Sequence, residues 1–206
     1  MSEKRLYFYP VWLRIWHAIN ALGIVILILT GFFMHYGIHG DFLDFAMLVT
    51  SHNVTGIILA INYLFFLFGN IFFGNYRFYR MKSKGLIDRL TRQALYYAFG
   101  MFKNQQPPFP LSEKRKFNPM QKFAYFGVMY LVVPLVIASG IGLLFPEFIV
   151  EKVYNLSGVF LTAIFHAGLG FMIFVFLLVH LYAASIGKSP LKNFRSIVTG
   201  WHEPNH

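Results

Sequence analysis

Two histidines, His166 and His180, lie fourteen residues apart within "FHAGLGFMIFVFLLVHLY", residues 165–182. An imidazole can ligate a metal, relay a proton or hydrogen-bond to a neighbouring helix. In an α-helix, fourteen steps fall about 40° short of four full turns, so both rings share one face, roughly 21 Å apart. The stretch around them is apolar and long enough to enter a bilayer, where polar side chains are costly and imply function. His17 and His52 sit near the ends of two other apolar stretches.

Positioning these side chains requires four membrane-spanning helices. The chain of 206 residues is 57% hydrophobic and only 13% charged, against about half apolar and one-quarter charged in soluble domains. Apolar runs at 12–34, 51–73, 120–145 and 158–186 each suffice to cross about 30 Å of hydrocarbon. The fold class expected is all-α integral membrane, a four-helix bundle with a long loop, 74–119, between the second and third helices. The first run is too long for a signal peptide, and no small-residue cleavage site follows it. Within the loop, "GLIDRLTRQALYYAFGMFKN" carries Leu86, Leu90, Ala94, Tyr97 and Met101 on one helical stripe. Two readings stand: a basic amphipathic helix on the inner leaflet, or a helix packed under the bundle.

Charge sets the orientation. Of 18 Lys and Arg, three precede or open the first span, eleven lie from Arg77 to Lys122, and three follow the fourth. Only Lys152 falls on the other side. The positive-inside rule therefore puts both termini and the long loop in the cytoplasm. The net charge of +10 thus belongs to the membrane, with lipid and no nucleic acid as partner.

With that topology, depth sorts the histidines. His17 and His180 lie near the inner face, His52 and His166 near the outer one. His35 also lies near the outer face and competes with His52, which begins a helix instead of ending one. Two histidines per site, without carboxylate or thiolate beside them, suit a flat macrocycle that supplies four nitrogens itself. The chain has no cysteine, which excludes disulfides, thiolate clusters and covalent C-x-x-C-H haem attachment. Two non-covalent haem b groups, each with two axial histidines, are expected. Gly23, Gly31, Gly56, Gly140, Gly142, Gly168 and Gly170 fit either a planar ring or ordinary close helix packing. Arg14 and Lys188 are placed either to pair with inner haem propionates or to snorkel. A proton or metal transporter is disfavoured, because no carboxylate lies within the spans and no inverted repeat is evident.

The segment "RIWHAINALGIVILILTGF", the fourteen-residue histidine spacing and "KFNPMQKFAYF" before the third span together resemble a known family. They are similar to the di-haem cytochrome b subunits of membrane respiratory oxidoreductases. Members include the formate dehydrogenase gamma subunit, the b-type cytochrome of nickel–iron hydrogenase and thiosulfate-reductase-like cytochromes. The resemblance makes residues 1–206 a single membrane cytochrome b domain in a bacterial inner membrane. It implies electron transfer between an iron–sulfur or multihaem partner subunit on the periplasmic side and a quinone, such as menaquinone, near the cytoplasmic face. It also implies His17 and His180 on the inner haem, His52 and His166 on the outer one, and a quinone pocket using Asn118 and Gln121. Asn118 reads equally as the helix N-cap before Pro119; Gln121 reads as free of any capping duty. The runner-up is a stand-alone cytochrome b561-like oxidoreductase acting on quinone and a small oxidant such as superoxide.

Overall fold

The computed structural model describes residues 6–38, 40, 44–103, 105–110, 112, 115–185 and 191–202. Among them, four helical stretches are long and apolar enough to cross a membrane. In chain order the elements are β1 (Leu6–Tyr7), α1 (Val11–His35), α2 (Phe45–Phe72), α3 (Leu86–Leu95), α4 (Pro119–Gly127), α5 (Val133–Leu144), β2 (Lys152–Val153), β3 (Leu156–Ser157), α6 (Gly158–Ser185), α7 (Lys192–Thr199) and β4 (Trp201–His202). A π-turn, Val128–Val132, joins α4 to α5 in one continuous third span. The first, third and fourth spans match the sequence expectation within a residue or two. The second begins at Phe45 instead of 51, because "FAMLVT" contains no breaker and continues the helix outward.

α1 packs along α2, and α5 along α6, while the two hairpins touch each other far less. The first hairpin is clamped reciprocally: Trp16 Nε1 donates to Asn62 O at 3.1 Å, and Asn62 Nδ2 donates to Trp16 O at 3.2 Å. In lipid, where no water competes, a satisfied pair of this kind fixes the rotation of α1 against α2. Its close approach needs Gly23, where a Cβ would come within 2.7 Å of Leu59.

The π-turn has a covalent cause. Pro134 has no N–H to give, and Val133 N–H reaches back to Val128 O, so Met129 O is left without a helical partner. Tyr63 O–H supplies one from α2 at 2.8 Å. Tyr63→Phe strands that carbonyl in the bundle and should cost about 1–3 kcal/mol. Equilibrium unfolding in detergent checks this; unchanged stability would show that Met129 O had found another donor.

β1 pairs antiparallel with β4, Leu6 against His202 and Tyr7 against Trp201. Both described ends therefore lie on one side of the bundle, called inner below. Gly200, with φ +87°, turns the chain from α7 into β4, and a Cβ there would meet Tyr9 O at 2.7 Å.

The inner loop is tied down at several points. Asn75 Nδ2 donates to Asn70 Oδ1 at 2.9 Å, and Tyr79 stacks on Tyr125 of α4 at 3.9 Å between ring centres. α3 packs against α4. Leu86, Leu90, Tyr97 and Met101 of the expected stripe are partly buried, while Ala94 is exposed. The face left open carries Ile87, Leu95, Phe99 and Phe102, so the helix packs under the bundle and shows a different apolar face outward.

Candidate functional site: two imidazole pairs across the bundle

Four histidines meet in two pairs. His17 of α1 faces His180 of α6 with ring centres 6.2 Å apart, and His52 of α2 faces His166 of α6 at the same 6.2 Å. The earlier start of α2 matches the outer depths. His52 is seven residues into its helix and His166 eight into α6, roughly 10–12 Å along the axis in each case. His35 is exposed and packs edge-on against Tyr36; it does not meet His166. Lys188, Lys114 and His39 lie outside the described residues.

The separation has chemical meaning. A direct hydrogen bond between two imidazoles, about 3 Å long, would put the ring centres about 5 Å apart. Two metal–nitrogen bonds of about 2 Å, plus about 1 Å from each nitrogen to its ring centre, give about 6 Å. The 6.2 Å separation leaves room for one metal atom between the rings of each pair. Among the described residues no group of three or more His, Asp or Glu converges. Each pair would offer a metal two nitrogens and would need the remaining ligands from elsewhere, as a haem would provide. Room exists for a flat ring. Gly56 and Gly170 lie one turn after His52 and His166, and a Cβ at either meets no atom within 4 Å. The inner histidines carry Ala21 and Ala184 in the same register. Of these, Gly56 and Gly170 were already candidates for a planar ring; the shared register of small residues four positions after every paired histidine was not.

The surroundings of the two pairs differ. Each outer ring has a hydroxyl beside it: Thr30 Oγ1 lies 2.9 Å from His52 Nδ1, and Ser139 Oγ lies 2.9 Å from His166 Nδ1. Sequence reasoning missed both, since an isolated Thr or Ser in an apolar helix reads as ordinary packing. The inner His180 instead stacks on Phe176 at 5.7 Å.

At the inner end of the third span, Asn118 and Gln121 form a capping box. Gln121 N–H donates to Asn118 Oδ1 at 2.9 Å, and Asn118 N–H donates to Gln121 Oε1 at 3.0 Å. The expectation that Gln121 is free of capping is corrected: four orphan N–H groups at a helix start need acceptors, and its side chain supplies one. Asn118 Nδ2 also donates to Tyr97 O–H at 2.8 Å, which anchors the loop helix. Lys116, two residues before Asn118, is turned inward. Its ammonium donates to Phe8 O at 2.6 Å and lies 4.1 Å from the Phe78 ring centre. Burial, then the neighbouring Arg77, pulls its pKa down to about 8. Arg14 lies partly buried one turn before His17.

The family model for prokaryotic cytochrome b561 matches residues 8–200, nearly the whole described bundle. The chain belongs to the prokaryotic cytochrome b561 family. A curated relative from Escherichia coli (strain K12), named "Putative cytochrome YdhU", is 33% identical over 199 residues, covering 97% of this chain and 75% of that protein. No solved structure matches significantly. Membership makes the chain a multi-pass bacterial membrane electron-transfer protein with b-type haem, and the paired imidazoles fit such a group.

Proposed function

We propose that this b561-family protein carries two haems b and passes electrons between a redox partner on its outer face and a quinone near its inner face. The observation that carries the reading is the repeated 6.2 Å imidazole separation, once near each end of the bundle. Haem supplies one-electron exchange when bound; the protein supplies everything that holds and spaces it. His17 and His180 would hold the inner group, His52 and His166 the outer one. The register of α6 sets the two tiers roughly 21 Å apart along the axis. Arg14 would meet an inner propionate. The inner side is the cytoplasmic one, on the distribution of Lys and Arg.

For quinone, the capping box divides the labour between its two residues. Asn118 has both side-chain polar atoms engaged. Among the described residues Gln121 has only its oxygen engaged, which leaves its Nε2 amide to donate to a quinone carbonyl. The outer partner is an iron–sulfur or multihaem subunit, a reading that rests on the resemblance of the histidine pattern to respiratory cytochrome b subunits. A stand-alone b561-type oxidoreductase is the competing reading. Mild-detergent purification separates the two, since a subunit brings its partner in stoichiometric amount.

The test is haem and quinone exchange in the purified protein. A pyridine haemochrome assay should give two haems b per chain; one or none rejects the proposal. Gln121→Leu should keep both haems and their reduction from the outer side. Reoxidation by a menaquinone analogue should slow about tenfold, the effect of losing one hydrogen bond of about 1.4 kcal/mol. Parental reoxidation rates in this variant would move the quinone pocket away from the third span.

A further inference from the structure

The outer imidazole pair is built with a symmetry that the inner pair lacks. Thr30 and Ser139 sit on different hairpins, α1 against α2 and α5 against α6, yet do the same thing. Thr30 Oγ1 donates to Ile26 O at 2.7 Å, and Ser139 Oγ donates to Leu135 O at 2.9 Å. A hydroxyl has one proton. With that proton given to the carbonyl one turn back, its oxygen can only accept from the imidazole 2.9 Å away. In that arrangement Nδ1 of both His52 and His166 would carry the hydrogen, and each Nε2 would keep its lone pair for a metal. Each hydroxyl residue is followed by a glycine pressed against the same ring. A Cβ on Gly31 would lie 3.4 Å from His52 Cε1, and one on Gly140 would lie 3.1 Å from His166 Cε1.

Back-bonding of Ser and Thr to the preceding turn is common in membrane helices and by itself means nothing. Two such hydroxyls, each at 2.9 Å from a histidine nitrogen and each paired with a glycine beneath that ring, are not explained by helix packing. Among the described residues no hydrogen bond to His17 or His180 is formed; His180 has only the Phe176 ring stacked beside it.

We propose that Thr30–Gly31 and Ser139–Gly140 are positioning pairs that fix the tautomer and orientation of the outer imidazoles and lower the outer haem's reduction potential. The argument rests on the reading that His52 and His166 hold a haem between them. An acceptor on Nδ1–H makes the ligating nitrogen more basic. A stronger donor favours ferric over ferrous iron, so the potential falls. With both ligands braced outside and neither inside, the hydroxyls add to a downhill step from the outer haem to the inner one. That favours electron entry at the outer face.

The test is an optical redox titration of the purified protein, with the outer step assigned as the one missing in His52→Ala. In the double variant Thr30→Val with Ser139→Ala, haem content should stay at two per chain. The outer ferrous-to-ferric ratio at a given potential should rise about tenfold, about 59 mV for one electron, with the inner step unmoved. The low-spin electron paramagnetic resonance signal of the outer haem should shift with it, and Thr30→Ser should behave as the parent. An unmoved outer step at full haem content overturns the proposal, and so does an equal shift of both steps. If the double variant loses a haem, Thr30→Ser decides. Retention there supports the hydroxyl, and the same loss overturns it. Fewer than two haems in the parent protein would instead defeat the di-haem reading itself.

Discussion

His166→Ala should leave one haem per chain, and His52→Ala should leave the same one. The pairs across the bundle make this a statement about combinations. Removing His52 and His166 together should cost no more haem than removing either, because both would serve one site. Removing His52 and His17 together should strip both sites, because each would lose one of its two ligands. His35→Ala should leave both haems in place, since its ring packs on Tyr36 and not on His166. Pyridine haemochrome per chain reads all five variants. A haem lost with His35 and kept without His52 would reverse the outer assignment, and four independent partial losses would dissolve the pairing.

Gly158→Ala is expected to be the most damaging single methyl in the protein. A Cβ at Gly158 would sit 1.8 Å from Val150 O and 3.0 Å from its carbonyl carbon. Backbone, not a pliable side chain, occupies the space. The same turn is closed by Gly158 N–H donating to Glu151 O at 3.0 Å, so the β2–β3 hairpin cannot shift without breaking it. The cost should exceed about 4 kcal/mol, the range reserved for outright clashes and lost networks. Gly127→Ala is the matched control, because nothing lies within 4 Å of a Cβ there. Folded yield and thermal unfolding in detergent compare the two. Equal behaviour would mean that the outer hairpin yields more readily than its geometry states.

Four spans, their order and the depth of the four paired histidines were legible because they are one-dimensional properties: apolar length and position along a helix. What lay beyond the sequence needed neighbours. Thr30 and Ser139 gain meaning only when α1 is seen against α2 and α5 against α6, 22 and 27 residues away from the histidines they brace. Tyr63 and Met129 are 66 residues apart, and the free carbonyl that joins them follows from a π-turn caused by Pro134. The capping role of Gln121 was within reach, since an Asn followed three residues later by Gln is itself a helix-start signature. The start of α2 is hidden, because Ser51 reads as a boundary in a run that simply continues outward to Phe45.

Both imidazole pairs share α6. During synthesis, α1 and α2 bring His17 and His52 into the membrane early, and neither has its opposite number until the last span arrives. At about 5–20 residues per second, the stretch from residue 52 to 166 takes roughly 6–23 seconds to emerge. For that interval two polar rings wait in lipid half-matched. The two sites do not mature in turn. One insertion event completes both pairs, and a chain arrested before Gly158 would hold neither.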